Sequence, residues 1–459
     1  MVRDDPLSSR PIPGLLLSYA IPSIISMLIG AMYNVIDQMF IGHALGYDGV
    51  AATSVAWIFI TVADAVALLF GQGCAAFISI RLGEGNRDAA NKAFCCAFAA
   101  LAAASVAFAA AGLLFLDPLL RLFGASESLM DYCRAYSGIL LAGMPIYMSR
   151  MVLTFGIRVD GSPRFAMVSM MSGAVLNIAL DPLFITAFRM GIRGAAAATV
   201  LSQAIALALS VGYFVRHSRL LTFRLRDMKR GFSTLRGILK LGLPSFSQQL
   251  AGAASLTVLN NSLRYYGALT VYGSGIPLSS VGIVQKVSGI MLNIMLGIAI
   301  GAQPILGFNY GAGNISRVKR TYLFSILCSS LVAAACWAGL MLFPRQLLLL
   351  FGDDSELFLE FGTFAFRSYL AAMLFAGIYT ATIQYFAAVD QAEKTLVMSL
   401  IRYLVFQLGF LVLLARLFGL SGVLWSGCAA DVASAAVAVV LFRRELGRLN
   451  GLEREALQS

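Results

Sequence analysis

The chain has 459 residues, a length that in a soluble protein would be read as about three domains. Hydrophobic residues make up 59% and charged residues only 12%, with a mean hydropathy of +0.81, whereas a soluble surface needs about 25% charged residues. Most of the surface must face lipid, which excludes a soluble enzyme, a disordered chain and a nucleic-acid binder, and the net charge of +11 reads as a Lys and Arg bias of cytoplasmic loops.

The opening MVRDDPLSSRPIPG runs into an apolar stretch too long for a signal-peptide core, so no cleaved leader is expected. A first helix over 14–44 carries Asp37, and a second over 50–80 carries Asp64. Ala93–Leu116 is free of charge, and the run over 132–157 carries Arg150. The run over 165–188 holds Asp181 followed by Pro182, and Gly194–Val215 is again charge-free. A basic stretch over 216–240 follows, then the charge-free Leu241–Leu263. Lys286 lies in 271–309, Thr321–Phe343 has no charge, and Arg367, Arg402 and Asp431 lie in 357–388, 395–415 and 417–442. About 20 apolar residues cross about 30 Å of hydrocarbon, so these runs predict an all-α integral membrane protein of twelve transmembrane helices. Continuous apolar runs exclude a β-barrel.

Inner loops hold Arg81, Arg87 and Lys92; Arg158 and Arg164; Arg317, Lys319 and Arg320; and the basic 216–240 stretch. Outer loops hold fewer basic residues, with Arg189 and Arg193 the awkward pair. Both termini are therefore expected in the cytoplasm of a multi-pass plasma-membrane protein. The chain also repeats itself. GEGN at 83–86 recurs as GAGN at 311–314, FGASESL at 123–129 as FGDDSEL at 351–357, and MGIRG at 190–194 as FGLSG at 418–422, all 228 positions apart. VDGSPRFAMVSM at 159–170 recurs as VDQAEKTLVMSL at 389–400, 230 positions on. The expected organisation is an amino-terminal lobe over 1–215, a basic linker over 216–240 and a carboxyl-terminal lobe over 241–459. Six helices per half make the repeats parallel, which suits a carrier working by alternating access with its substrate between the halves.

The seven cysteines show no metal-site or disulfide spacing, and His43 and His217 are the only histidines. No GxSxG, HExxH or Walker A pattern occurs, so neither an enzyme nor a cofactor is expected. Ionisable groups inside a membrane are costly and mark function. Asn177 lies four residues before Asp181, so both share a helix face, and Pro182 leaves the carbonyl of Ile178 without its usual donor. A carboxylate, an amide oxygen and a freed carbonyl suit a hard cation. Together with Asp37 they also suit a shared proton, because two neighbouring carboxylates in low dielectric cannot both ionise cheaply.

At these residues the sequence resembles the multidrug and toxic compound extrusion (MATE) transporters. The resemblance spans nearly the whole chain: twelve helices, two halves, the GxGN turn after helices two and eight, and the Asp–Pro element in helix five. It implies secondary active export of drug-like, often cationic molecules in exchange for protons or sodium ions, by a protein expected to be monomeric. The family's coupling residues map onto Asp37, Asn177, Asp181 and Thr199, which would also hold any sodium ion. Its bend proline maps onto Pro22, and the tyrosine near its acid onto Tyr33. A branch with acids in helices seven and ten is not matched, since helix seven offers only Gln248, Gln249, Asn260 and Asn261. Gln248, Gln249 and Asn260, with Met144, Met148 and Met291, are candidate substrate contacts, because Met repacks around varied ligands. Asp64 and Lys286, on repeat-related helices, are a candidate pair between the lobes. Arg402 is expected to reach the cytoplasmic interface, and Arg150 and Arg367 have no assigned partner. Two alternatives are a lipid or glycolipid flippase of the same superfamily and a membrane prenyltransferase. The first is disfavoured by twelve helices and paired acids, the second by a single NxxxD-like element, NIALD, inside an apolar helix.

Overall fold

The computed structural model describes residues 6–222, 232–349 and 355–458. The centre of the basic stretch, 223–231, and residues 351–354 of the second FGxxSEL motif lie outside the described residues. The described residues are helical apart from short connections, and none forms a strand.

The amino-terminal half forms α1 (Ile12–Gly46), α2 (Asp48–Gly83), α3 (Arg87–Leu114), α4 (Met130–Val159), α5 (Pro163–Pro182) and α6 (Ile192–Arg216). In the other half are α7 (Phe232–Ala268), α8 (Gly275–Gly311), α9 (Ile315–Leu342) and α10 (Glu356–Ala388). The apolar run Ala392–Arg454 spans 63 residues, far more than one crossing requires. It breaks at Gly419 (φ 59°, ψ −134°), which divides it into α11 (392–418) and α12 (420–454). Among the described residues twelve long helices result, the number expected. Large apolar side chains such as Leu114, Val215, Leu331 and Val412 stand exposed, the surface a multi-pass membrane protein presents to lipid.

The repeated turn motifs have a backbone cause. In GEGN and GAGN the second glycine takes a left-handed conformation, Gly85 at φ 78° and Gly313 at φ 71°, which a Cβ would disfavour. The asparagine then caps the next helix: Asn86 Oδ1 accepts from Ala89 N at 3.0 Å, and Asn314 Oδ1 from Arg317 N at 3.4 Å. The sharp α5–α6 and α11–α12 reversals likewise rest on Gly191 (φ 58°) and Gly419 (φ 59°), 228 positions apart.

By packing, the chain falls into two compact units, and their borders differ from a division in chain order at 216–240. One unit is Ile25–Phe246; the other joins Met1–Ile24 to Ser247–Ser459. The start of α1 thus packs with the second half, and the start of α7 with the first. Close backbone approach explains both. A Cβ on Gly301 of α8 would lie 2.7 Å from the Ala20 backbone, and one on Gly297, a turn earlier, 2.7 Å from Ile24 Cα. In the other unit a Cβ on Gly242 would lie 1.7 Å from the Leu69 carbonyl oxygen, and one on Gly73 2.2 Å from that of Ile238. Only glycine lets membrane helices meet so closely. Each crossing helix changes unit two residues after a proline, Pro22 in α1 and Pro244 in α7.

Each unit has its own apolar core, around Ile41, Phe59, Leu141 and Val152 in one and Leu263, Val284, Phe366 and Leu424 in the other. Each also buries one carboxylate as a clamp. Asp160, fully buried, accepts from Tyr213 Oη at 2.6 Å and from the backbone N–H groups of Arg219, Leu220 and Leu221 at 2.7–2.8 Å, tying down the chain after α6. Glu445, 1% exposed, accepts from Tyr385 Oη and Gln391 Nε2, both at 3.0 Å, and pairs with Lys394 at 3.2 Å and Arg448 at 2.6 Å.

Candidate functional site

The Ile25–Phe246 unit brings Asp37 of α1, Asn177 and Asp181 of α5, and Thr199 of α6 together. Asp181 sits in the last turn of α5, where Pro182 supplies no N–H and the helix widens into a π-helical segment, Leu183–Ala187. A proline-led loss of the regular ladder produces such widening, and π segments are frequent at functional sites. Gly191 then turns the chain so that α6 returns beside α5 with Thr199 facing Asn177.

Asn177 Nδ2 donates to Asp181 Oδ1 and to Thr199 Oγ1, both at 3.3 Å. The Asp37 and Asp181 carboxyls lie within hydrogen-bonding reach of each other. Asp181 is fully buried, Asn177 1% exposed and Asp37 7% exposed. Three oxygens here, Asp37 Oδ1, Asn177 Oδ1 and Asp181 Oδ2, are buried with no hydrogen-bond donor among the described residues. Unsatisfied buried acceptors are expensive, the more so in a membrane interior. Two carboxylates, an amide oxygen and a hydroxyl form a hard-oxygen set that accommodates either one partly dehydrated monovalent cation or one proton shared by the acids.

Tyr33 lies within electrostatic range of Asp37, Asp181, Asp64 and Arg150, and Tyr136, 4% exposed, within range of Asp37 and Asp181. A second polar group adjoins. Tyr147 Oη donates to Asp64 Oδ1 at 2.5 Å, and the Arg150 guanidinium lies over the Tyr147 ring, 5.6 Å from its centroid. Asp64 therefore finds a partner inside its own unit. Lys286 belongs to the other unit and is exposed. Tyr136 and Tyr147 escaped the sequence reading. Their spacing of eleven, three helical turns, was the available signal, but the same spacing is common in packed helices.

Pro22 lies buried at the border where α1 changes unit. Met144 (3% exposed) and Met148 (0%) are packed into the apolar core, while Met291 is half-buried against the core of its unit. Gln248, Gln249 and Asn260 are half-buried on α7, apart from the acid pair by unit. Arg402 corrects an expectation. It does not extend to the interface but pairs with Asp431 at 2.8 Å, both side chains under one-fifth exposed, and lies over the rings of Tyr379 and Tyr403. Asp431 offers a charge that bulk interface could not match in low dielectric. Arg367 is exposed at a cleft of about 380 Å³ with Arg345 and Glu356.

A family model described as MatE matches residues 22–183 and 267–413. The multidrug export protein MepA of Staphylococcus haemolyticus is 26% identical over 93% of this chain and 92% of its own length. The MepA of Staphylococcus aureus is 24% identical over 94% and 93%. Among solved structures, a MOP superfamily transporter from Pyrococcus furiosus, described as having a binding pocket of reversed polarity, superimposes with a TM-score of 0.89 at 25% identity, covering 98% of both chains. An outward-facing multidrug resistance MATE family transporter gives the same score and identity over 98% and 97%.

Proposed function

Because this chain belongs to the MatE family, we propose that it is a secondary active multidrug exporter in which Asp37, Asn177, Asp181 and Thr199 couple cargo release to the entry of a proton or sodium ion. The observation that carries the coupling assignment is the convergence of three buried, unsatisfied oxygens, one each from Asp37, Asp181 and Asn177, with the two acids within hydrogen-bonding reach. Asp181 Oδ1 accepts from Asn177, but the three remaining oxygens have no internal partner, and a proton or sodium ion arriving down its gradient supplies the positive charge they can bind. The MepA relatives support drug-like cargo. The loop charges support cytoplasmic termini in the plasma membrane.

Cation binding draws Asp37 toward Asn177 and Asp181 and strains α1 toward its Pro22 bend, where the broken ladder costs least to deform. The cargo-competent arrangement loses population to the extent that the cation prefers the other one. Reconstitution into proteoliposomes, with a proton gradient and a sodium gradient imposed separately, tests the reading. One gradient is expected to drive uptake of a cationic dye into inside-out vesicles, and Asp37→Asn, still inserted, is expected to abolish that drive. Uptake by Asp37→Asn at the unaltered rate would refute the assignment.

A further inference from the structure

Ahead of α1, residues Pro6–Ser9 form a single helical turn that packs with the Ser247–Ser459 part of the chain. Three hydrogen bonds fix this strap, all donated by side chains and all accepted by backbone carbonyls. Asn309, fully buried near the end of α8, donates from Nδ2 to the Leu7 carbonyl at 3.0 Å. Arg317, in the first turn of α9, donates from Nη2 to the same carbonyl at 3.1 Å and to that of Arg10 at 2.8 Å. The two donors flank the GAGN turn at 311–314. The last carbonyls of a helical turn lack intrahelical donors, and bonds given by a charged group are the stronger kind, so a guanidinium bridging two such carbonyls is a firm tie. Leu7 is 4% exposed, and Leu15 and Leu16 follow it into the apolar interior. The first segment of α1 is therefore held at both ends, by the strap where it begins and by the close approach of Gly301 to Ala20 and Gly297 to Ile24 where it leaves the unit. Beyond Pro22, α1 carries Asp37 in the other unit.

We propose that Arg317 and Asn309 are positioning residues for cation coupling: by pinning the strap they make the first segment of α1 a fixed base, so that cation binding at Asp37 bends the helix at Pro22 instead of shifting it whole. A helix free at its far end follows a pull as a rigid rod, whereas one held there deforms at its weakest point, the ladder interrupted by proline. Neither side chain touches the cation or the cargo; both act through α1. The start of α7 is pinned as well, by Asp160 gripping the N–H groups of Arg219, Leu220 and Leu221, but α7 carries no acid for a cation to pull. The two anchors are thus alike in position and unlike in consequence. The inference rests on the assignment of coupling to Asp37 and Asp181.

The test measures the affinity of purified full-length protein for rhodamine 6G by fluorescence anisotropy, at low and high sodium and at low and high pH. The ratio of dissociation constants with and without the effective ion is the coupling factor. Arg317→Leu is expected to lower that factor by roughly threefold or more, with ion-free dye affinity within about twofold of the unaltered protein, and Arg317→Lys to keep most of it, since an ammonium also donates to carbonyls. Asp160→Asn, which loosens the start of α7, is expected to leave the factor within about twofold even where it lowers the melting temperature. An unchanged factor in Arg317→Leu would overturn the proposal, as would an equal loss in Asp160→Asn, which would make the effect one of general destabilisation. Should Arg317→Leu not fold, Leu7→Gly loosens the strap from its other side: a lowered factor supports the anchor, and an unchanged one overturns it. Failure of the underlying assignment looks different. Unaltered protein with no ion dependence, or Asp181→Asn with a full coupling factor, would overturn that assignment and the proposal with it.

Discussion

The polar interiors of the two units differ in whether their charges are complete. In the Ile25–Phe246 unit, Asp37 and Asp181 face each other with oxygens that no internal group satisfies. The other unit holds Arg402 against Asp431, with Tyr379 and Tyr403 beneath the guanidinium. Both groups sit at a π-helical segment, Leu183–Ala187 in one and Ile401–Gln407 in the other. Repeat correspondence places Gln407 opposite Asn177, at an offset of 230, and Asp431 opposite Gln203, at 228. Neither acid of the open pair is repeated: Asp181 corresponds to Leu411 at an offset of 230, so one unit carries an open acid pair and the other, at different positions of the repeat, a carboxylate with a built-in cation. A charge completed within the chain has nothing to gain from an ion in transit, whereas an incomplete one does.

The strongest way to break this comparison is to neutralise the open pair. A coupled cation is expected to lower drug affinity by roughly 5–150-fold. In Asp181→Asn the drug should still bind, with cation-driven displacement reduced to about twofold or less by the same measure. Retained displacement in that variant, read by dye release from purified protein, would move coupling elsewhere.

Opening the closed pair is the converse experiment. Arg402→Gln leaves Asp431 buried and unpaired, which costs about 3–5 kcal/mol. A large fall in melting temperature is expected, with cation-driven release intact in the folded fraction. Replacing both partners by Met and Leu should recover most of the stability, since paired removal leaves no orphan. A variant that kept its stability but lost cation dependence would show that the second unit takes part in coupling.

A smaller effect separates recognition from coupling. Gln249→Ala removes a half-buried amide of α7 and should change the relative affinities of different drugs by a few-fold, about 1 kcal/mol for one hydrogen bond. Cation-driven release should be unchanged, and its loss would contradict the division between the units. An effect of similar size addresses the scaffold itself. Gly85→Ala and Gly313→Ala each force a side chain into a left-handed turn, at about 1–2 kcal/mol. Because the two turns share one geometry, thermal unfolding should fall equally in both variants, and unequal losses would mean the repeat is not mechanically equivalent at its two copies.

The chain itself determined what depends on local composition and short-range pattern. Lipid exposure follows from 12% charge, the twelve helices from apolar runs of membrane length, and the repeat from motifs whose glycines and asparagines are dictated by backbone geometry one turn away. Asn177 and Asp181 were legible because four residues along a helix put two side chains on one face. Tertiary structure alone decided what depends on contacts between distant segments. That Asp37 meets Asp181, that Tyr147 serves Asp64, and that Arg402 turns inward to Asp431 are all set by which helices pack together. So is the exchange of the starts of α1 and α7 between units, where glycines at 73, 242, 297 and 301 admit a backbone approach whose partner no local pattern names. In a membrane the helix is secured by its own hydrogen bonds, so the sequence can specify it locally, whereas a buried charge is secured only by a partner that folding must deliver.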